Sequence, residues 1–195
     1  MGLKKSLVLA LAGVLVSGSC LLAQPAKVAS TGGISPHETT SAVIGGRNGD
    51  RVTVTYGRPF SKDPKTGEIR KIWGTLVPWG KVWRAGSDEA TTLITQQPIV
   101  IGDTTIPAGA YTLCMLPDEK GTSKLIINKA VGQWGIPYTP DLEKQELGRF
   151  DLKKDAIDKQ VDQFTIAVEN TPTGGVIKLT WETTQFSLPF TVKKP

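Results

Sequence analysis

The chain has 195 residues, is 39% hydrophobic and 21% charged, and carries a formal net charge of +5. These are ordinary values for a soluble globular protein, and a chain of this size buries about 70% of its unfolded surface, so it needs no staples to fold. Without Lys4 and Lys5 of the leader, 21 basic residues face 18 acidic ones, a net +3 too weak and too dispersed for nucleic-acid binding.

Residues 1–23 read as a secretory leader: Lys4 and Lys5 form a positive n-region, and Ser6–Val16 an apolar h-region too short to span a bilayer comfortably. Cleavage after Ala23 starts the mature chain at Gln24, leaves no transmembrane span, and places the protein outside the cytoplasm, in the periplasm or secreted. The alternative is lipid anchoring at Cys20, although Ser17 stands where a lipidation signal usually has leucine. With Cys20 removed, Cys114 has no partner for a disulfide. It sits in the apolar run YTLCML and reads as a buried thiol, not as a nucleophile.

Residues 24–33 are small and polar, a flexible tail, and residues 34–195 read as one domain. Two extended runs, Thr39–Ile44 and Arg51–Tyr56, flank Asn48-Gly49, a strong hairpin signal. Arg58-Pro59 ends the second run, and Ser61–Glu68 is a polar loop. Then comes Ile72–Thr92, which carries Trp73, Trp79 and Trp83 among Gly74, Gly80 and Gly86, together with the charged cluster Arg84, Asp88 and Glu89. Large aromatics beside glycines anchor tight backbone turns and hold the adjoining charged groups on rigid support.

Further short strands are expected at Ala90–Thr95, Pro98–Ile101, Thr104–Ile106, Ala110–Leu116 and Lys124–Asn128. Pro107-Ala108-Gly109 and the Gly-x-Tyr of Gly109–Tyr111 suit a sandwich corner. Thr139-Pro140 can open one short helix ending near Gly148, in competition with an extended course through Arg149–Lys153. Gln163–Glu169, Val176–Glu182 and Thr184–Val192 alternate apolar and polar residues as strands do, and Pro189 points to an edge. Many short strands with close turns and little helix mean an all-β fold, an antiparallel β-sandwich of jelly-roll-like or barrel-like form.

The strings VTVTYGRP (52–59), WGTLVPWGKVWRAGSDEAT (73–91), IGDTTIPAGAYTL (101–113), IINK (126–129) and TWE (180–182) resemble the bacterial family called domain of unknown function 2911, over about residues 34–192. That family typically shows Asn where this chain has Asp88. The resemblance implies an exported bacterial protein with a mostly β domain. It implies no activity and assigns no residue a role.

No complete catalytic constellation is visible. There is one histidine, His37, no HExxH, no paired cysteines and no calcium loop, so no metal and no cofactor are expected. There is no Gly-x-Ser-x-Gly elbow, and Asp88 and Glu89 are adjacent, so in extended chain they point to opposite faces and cannot be a glycosidase pair together. One of them could pair with Glu182. The better candidate is a binding surface of Arg84, Asp88 and Glu89, with Arg58 and His37, for a small polar ligand or envelope component. The structural alternative, in which Arg84 and Glu89 pair to clamp a loop, is the commoner use of such groups. Trp73, Trp79, Trp83 and Trp134 read more readily as core than as a stacking platform for sugars, and Trp181 as core outright. The expected function is a non-catalytic binding or structural module. The enzyme alternative is a hydrolase of an envelope or extracellular carbohydrate or ester, using Glu89 or Asp88 with His37.

Overall fold

A computed structural model describes residues 35–47, 49–135 and 137–193. The leader, Cys20, the tail at 24–33 and Asn48 lie outside the described residues. Ten strands and one helical turn come in this order: β1 (His37–Ile44), β2 (Asp50–Gly57), β3 (Thr91–Thr95), β4 (Ile99–Ile101), β5 (Thr104–Ile106), β6 (Gly109–Leu116), β7 (Lys124–Asn128), α1 (Pro140–Glu143), β8 (Glu146–Asp151), β9 (Lys153–Thr171) and β10 (Gly174–Val192).

All ladders are antiparallel and build two sheets. One has the order β1-β2-β3-β6-β7-β8 and the other β5-β4-β10-β9. Neither sheet closes on itself, so the fold is an open antiparallel β-sandwich, not a barrel.

The alternation in the sequence sets the inner faces. Val52, Val54 and Tyr56 of β2 meet Phe164 and Ile166 of β9 and Ile177, Leu179 and Trp181 of β10 in one buried core. Burying each such side chain contributes on the order of 1.5–3 kcal/mol. The Tyr56 hydroxyl donates to the Ile166 carbonyl (3.2 Å) and accepts the Ile166 amide (2.8 Å). It thereby stands in for a strand neighbour on β9, and burial raises its pKa.

The chain changes sheets three times, after β3, after β5 and at Leu152 between β8 and β9. After β3, the carboxylate of the fully buried Asp50 accepts from the Thr95 hydroxyl and from the amides of Gln96 and Gln97, both at 2.8 Å. After β5 the chain returns through Pro107-Ala108, where the Tyr111 hydroxyl donates to the Pro107 carbonyl at 2.8 Å. The corner expected from Gly-x-Tyr is there.

The helix is shorter than the longest reading of its sequence. Thr139 Oγ1 accepts from the Leu142 amide as an N-cap, but only Pro140–Glu143 are helical. The competing extended course then takes over as β8. Val176–Glu182 and Thr184–Val192 form one strand, β10, with register shifts on either side of Glu182, whose φ is 53°. An edge position for Pro189 is incorrect for the strand as a whole, since β10 lies between β4 and β9. The residue itself sits where its missing N–H costs nothing, because pairing to β9 ends at Ser187 and pairing to β4 begins at Thr191.

Cys114 is buried on the side of β6 opposite Leu113 and Met115, outside the main core. Burial, with a smaller contribution from the Glu146 charge, pushes its thiol up to about 12.

Candidate functional site

The tryptophan stretch is tied down before it delivers any polar group. Trp83 exchanges two backbone hydrogen bonds with Met115 of β6, each 2.7 Å, and Gly80 N donates to the Pro117 carbonyl at 2.9 Å. The Trp83 ring stacks on Trp181 at 5.9 Å and meets the Phe164 edge at 4.9 Å. Trp73 stacks on Trp79 at 6.1 Å and touches Trp181 and Phe186. Gly74 is required beneath that stack: its φ is +83°, and a β-carbon there would lie 2.6 Å from Trp79 Nε1. Trp73, Trp83 and Trp181 thus belong to the core, whereas Trp134 stands apart and is 44% exposed.

From this anchor the backbone turns through two left-handed residues, Ala85 (φ 50°) and Asp88 (φ 64°). Asp and Asn are the residues that tolerate this region best among those with side chains. That explains why Asp88 fits a position where the resemblance expects Asn. The loop crosses the end of β2 at close range: Ser87 N donates to the Gly57 carbonyl at 3.2 Å, and a β-carbon on Gly57 would lie 2.3 Å from the Ser87 carbonyl oxygen.

Arg84 clamps this loop, though through carbonyls and not through Glu89. Its Nε donates to the Gly86 carbonyl (3.3 Å) and its Nη1 to the Asp88 carbonyl (3.1 Å), while its stem packs on Gly135. Burial lowers the Arg84 pKa, and the charges of Asp88 and Glu89 offset only part of that. Glu89 turns the other way and meets His37, with Oε2 2.7 Å from Nε2. Arg58 is a cross-sheet staple: it donates to the Phe164 carbonyl (3.1 Å), to Thr165 Oγ1 (2.8 Å) and to the Glu38 carboxylate.

A cleft of about 590 Å³ opens between the 84–88 turn and the polar loop after β2. Arg84 and Asp88 line it; Arg58, Glu89 and His37 are not among its lining residues. Ser87 lines it as well, with Arg70, Phe60 and Lys81, which sequence reasoning does not single out. Arg70 Nη2 is held by the Phe60 carbonyl. Five buried side-chain polar atoms among the described residues have no hydrogen-bond partner, and three of them belong to residues lining this cleft: Arg70 Nε, Ser87 Oγ and Asp88 Oδ2. Each such atom costs roughly 1–3 kcal/mol if nothing satisfies it.

Glu182 makes no side-chain hydrogen bond with Asp88 or Glu89, and burial raises its pKa. Among the described residues no group of three or more His, Cys, Asp or Glu stands together to hold a metal ion, and no helix is long and apolar enough to cross a membrane.

The strings that meet in this cleft, YGRP and WRAGSDEAT, lie within residues 35–190, which match the family described as Protein of unknown function (DUF2911). The chain belongs to that family. No curated protein and no solved structure matches the chain. The DUF2911 match spans the described sandwich from just before β1 into β10, so both walls of the cleft lie inside it.

Proposed function

We propose that this DUF2911 protein is a non-catalytic binding module of the cell envelope, exported by its leader, that takes a small polar ligand in the cleft beside Arg84 and Asp88. The observation that carries the reading is that three residues lining one cavity, Arg70, Ser87 and Asp88, each carry a buried polar atom without a partner. Ligand sites are mostly apolar concavities with a few convergent polar groups, and this one adds Phe60 and Trp83 to its wall. The n-region and h-region of residues 1–23 support export. The mass of the mature N-terminus tests it, since Gln24 marks cleavage and a lipidated Cys20 marks anchoring.

Thermal-shift screening against small polar compounds tests the site. A compound that raises the Tm of the wild type but not of Asp88→Asn supports the cleft. Hits that stabilise both proteins equally place binding elsewhere.

The His37–Glu89 pair at 2.7 Å favours a second reading, a hydrolase of envelope esters or glycosides in which Glu89 orients His37 as a general base. Turnover of model esters or glycosides that disappears in both His37→Ala and Glu89→Gln would establish it. Variants that leave every measured property unchanged would end it.

A further inference from the structure

Four cationic side chains, Lys65, Arg70, Lys81 and Arg84, line the cleft against two carboxylates, Asp63 and Asp88. Among the described residues none of the four is in an ion pair. Arg70 and Arg84 are part-buried and each is held by backbone carbonyls. A carbonyl fixes a guanidinium in place without neutralising it. Five N–H groups in a planar fork then leave donors over, and the fork matches a carboxylate or a phosphate. Asp63 offsets only part of this charge: its Oδ1 is occupied by the Lys65 and Thr66 amides at 2.8 and 3.2 Å, and its single carboxylate faces both Lys65 and Arg70.

The opposite requirement stands beside Arg84, on the same turn. Asp88, which lines the cleft, has a buried Oδ2 that accepts nothing, while the neighbouring Ser87 hydroxyl, also unpartnered, packs against Gly57. Asp88 needs a donor from the ligand, and a fully ionised inorganic anion offers none. A hydroxyl group does. One cavity therefore asks for an anionic group at Arg70 and Arg84 and a hydroxyl at Asp88, with Phe60 and Trp83 adding ring surface to its wall.

Resting on the reading that the cleft is the binding site, we infer that its ligand is a hydroxylated organic anion. It would be a sugar carrying a carboxylate or a phosphate, with the anionic group on Arg70 and Arg84 and a hydroxyl donating to Asp88 Oδ2.

Isothermal titration of the purified chain with glucuronate, glucose 6-phosphate, glucose and inorganic sulfate tests this. At least one charged sugar should bind, at least about tenfold tighter than glucose, and more weakly as salt is raised. Which of the two binds identifies the anionic group. Arg70→Met and Asp88→Asn should each weaken it about tenfold or more, as loss of a charge-assisted hydrogen bond does. Lys81→Met, a change at an exposed rim residue, should weaken it several-fold with no change in Tm, which guards against folding effects in the other two.

Glucose binding as tightly as its charged forms, with Asp88→Asn still weakening it, would overturn the anionic half and leave the cleft as the site. Inorganic sulfate, which is fully ionised, binding as tightly as the charged sugars would overturn the hydroxyl half. Charged-sugar binding that none of the three substitutions moves would overturn both the inference and the cleft. Failure of either charged sugar to bind up to millimolar concentration, while a neutral polar compound still shifts Tm through Asp88, would overturn the inference alone.

Discussion

The carbonyl of Gly57 accepts the amide of Ser87 at 3.2 Å, at a crossing so close that a β-carbon on Gly57 would sit 2.5 Å from Ser87 Oγ. Gly57→Ala must therefore push the 84–88 turn off the end of β2. We expect a loss of roughly 1–3 kcal/mol by urea denaturation, as overpacking usually costs. Weaker binding in the cleft should accompany it, since Ser87 and Asp88 move with the turn. An unchanged urea midpoint would show that the crossing is looser than these distances require.

Asp50 holds the corner between the sheets by accepting from two amides and a hydroxyl with no exposure to water. Asp50→Ala takes the acceptor from the Gln97 amide and leaves the Thr95 hydroxyl and the Gln96 amide only the carbonyls of Gln97 and Arg51, which should cost about 1–3 kcal/mol. Asp50→Asn keeps one carbonyl oxygen for the amides and should cost distinctly less. Equal midpoints for the two variants would mean that the amides are not what matters at this corner.

Cys114 should resist alkylation. A thiol pushed up to about 12 is almost wholly protonated at pH 8, and it is also buried. Iodoacetamide followed by mass spectrometry should leave the Cys114 peptide unlabelled in the native protein and label it fully in denaturant. Fast native labelling would mean that the cover over β6 opens readily.

Glu182 combines a φ of 53° with a carboxyl whose pKa burial raises. A raised pKa means that the fold favours the protonated form. That contribution is complete below the ordinary carboxyl range and is lost as pH rises through the raised value. Glu182→Gln should therefore be more stable than wild type at neutral pH, with the advantage vanishing near pH 4 or below. Glu182→Gly removes the left-handed strain as well and should gain on the order of 1 kcal/mol in both conditions. Thermal melts at pH 4 and pH 7 separate the two effects.

The strands that bury one face were legible because alternation survives without any knowledge of partners. Val52, Val54 and Tyr56, or Phe164, Ile166 and Val168, announce their side of the sheet directly. The first half of β9 did not, because in KKDAIDKQVD almost nothing is buried. Its strand state comes from pairing with β10, and pairing leaves no period in the sequence. Residues 176–192 read as two strands because the bulge at Glu182 interrupts the alternation without ending the ladder.

The cleft was half legible. Arg84 and Asp88 come directly after a visible aromatic anchor. Arg70 ends a loop whose prolines and glycines reveal only that it turns, and nothing local shows that it folds back against Ser87 and Asp88. Glu89 and His37, 52 positions apart, meet because β1 and the 84–90 segment flank β2, a relation held in topology and not in spacing.

The place of β10 has a consequence for synthesis. Its last residues, Thr191 and Val192, pair with Val100 and Ile99, while its first pair with the adjacent β9. The β4–β5 hairpin therefore forms early and waits, one edge unsatisfied, until residue 192 has left the ribosome. The six-stranded sheet can assemble from residues already made, but its apolar face stays uncovered until β9 and β10 follow. A nascent chain stalled before Thr191 should bind chaperones, and one released just after it should not.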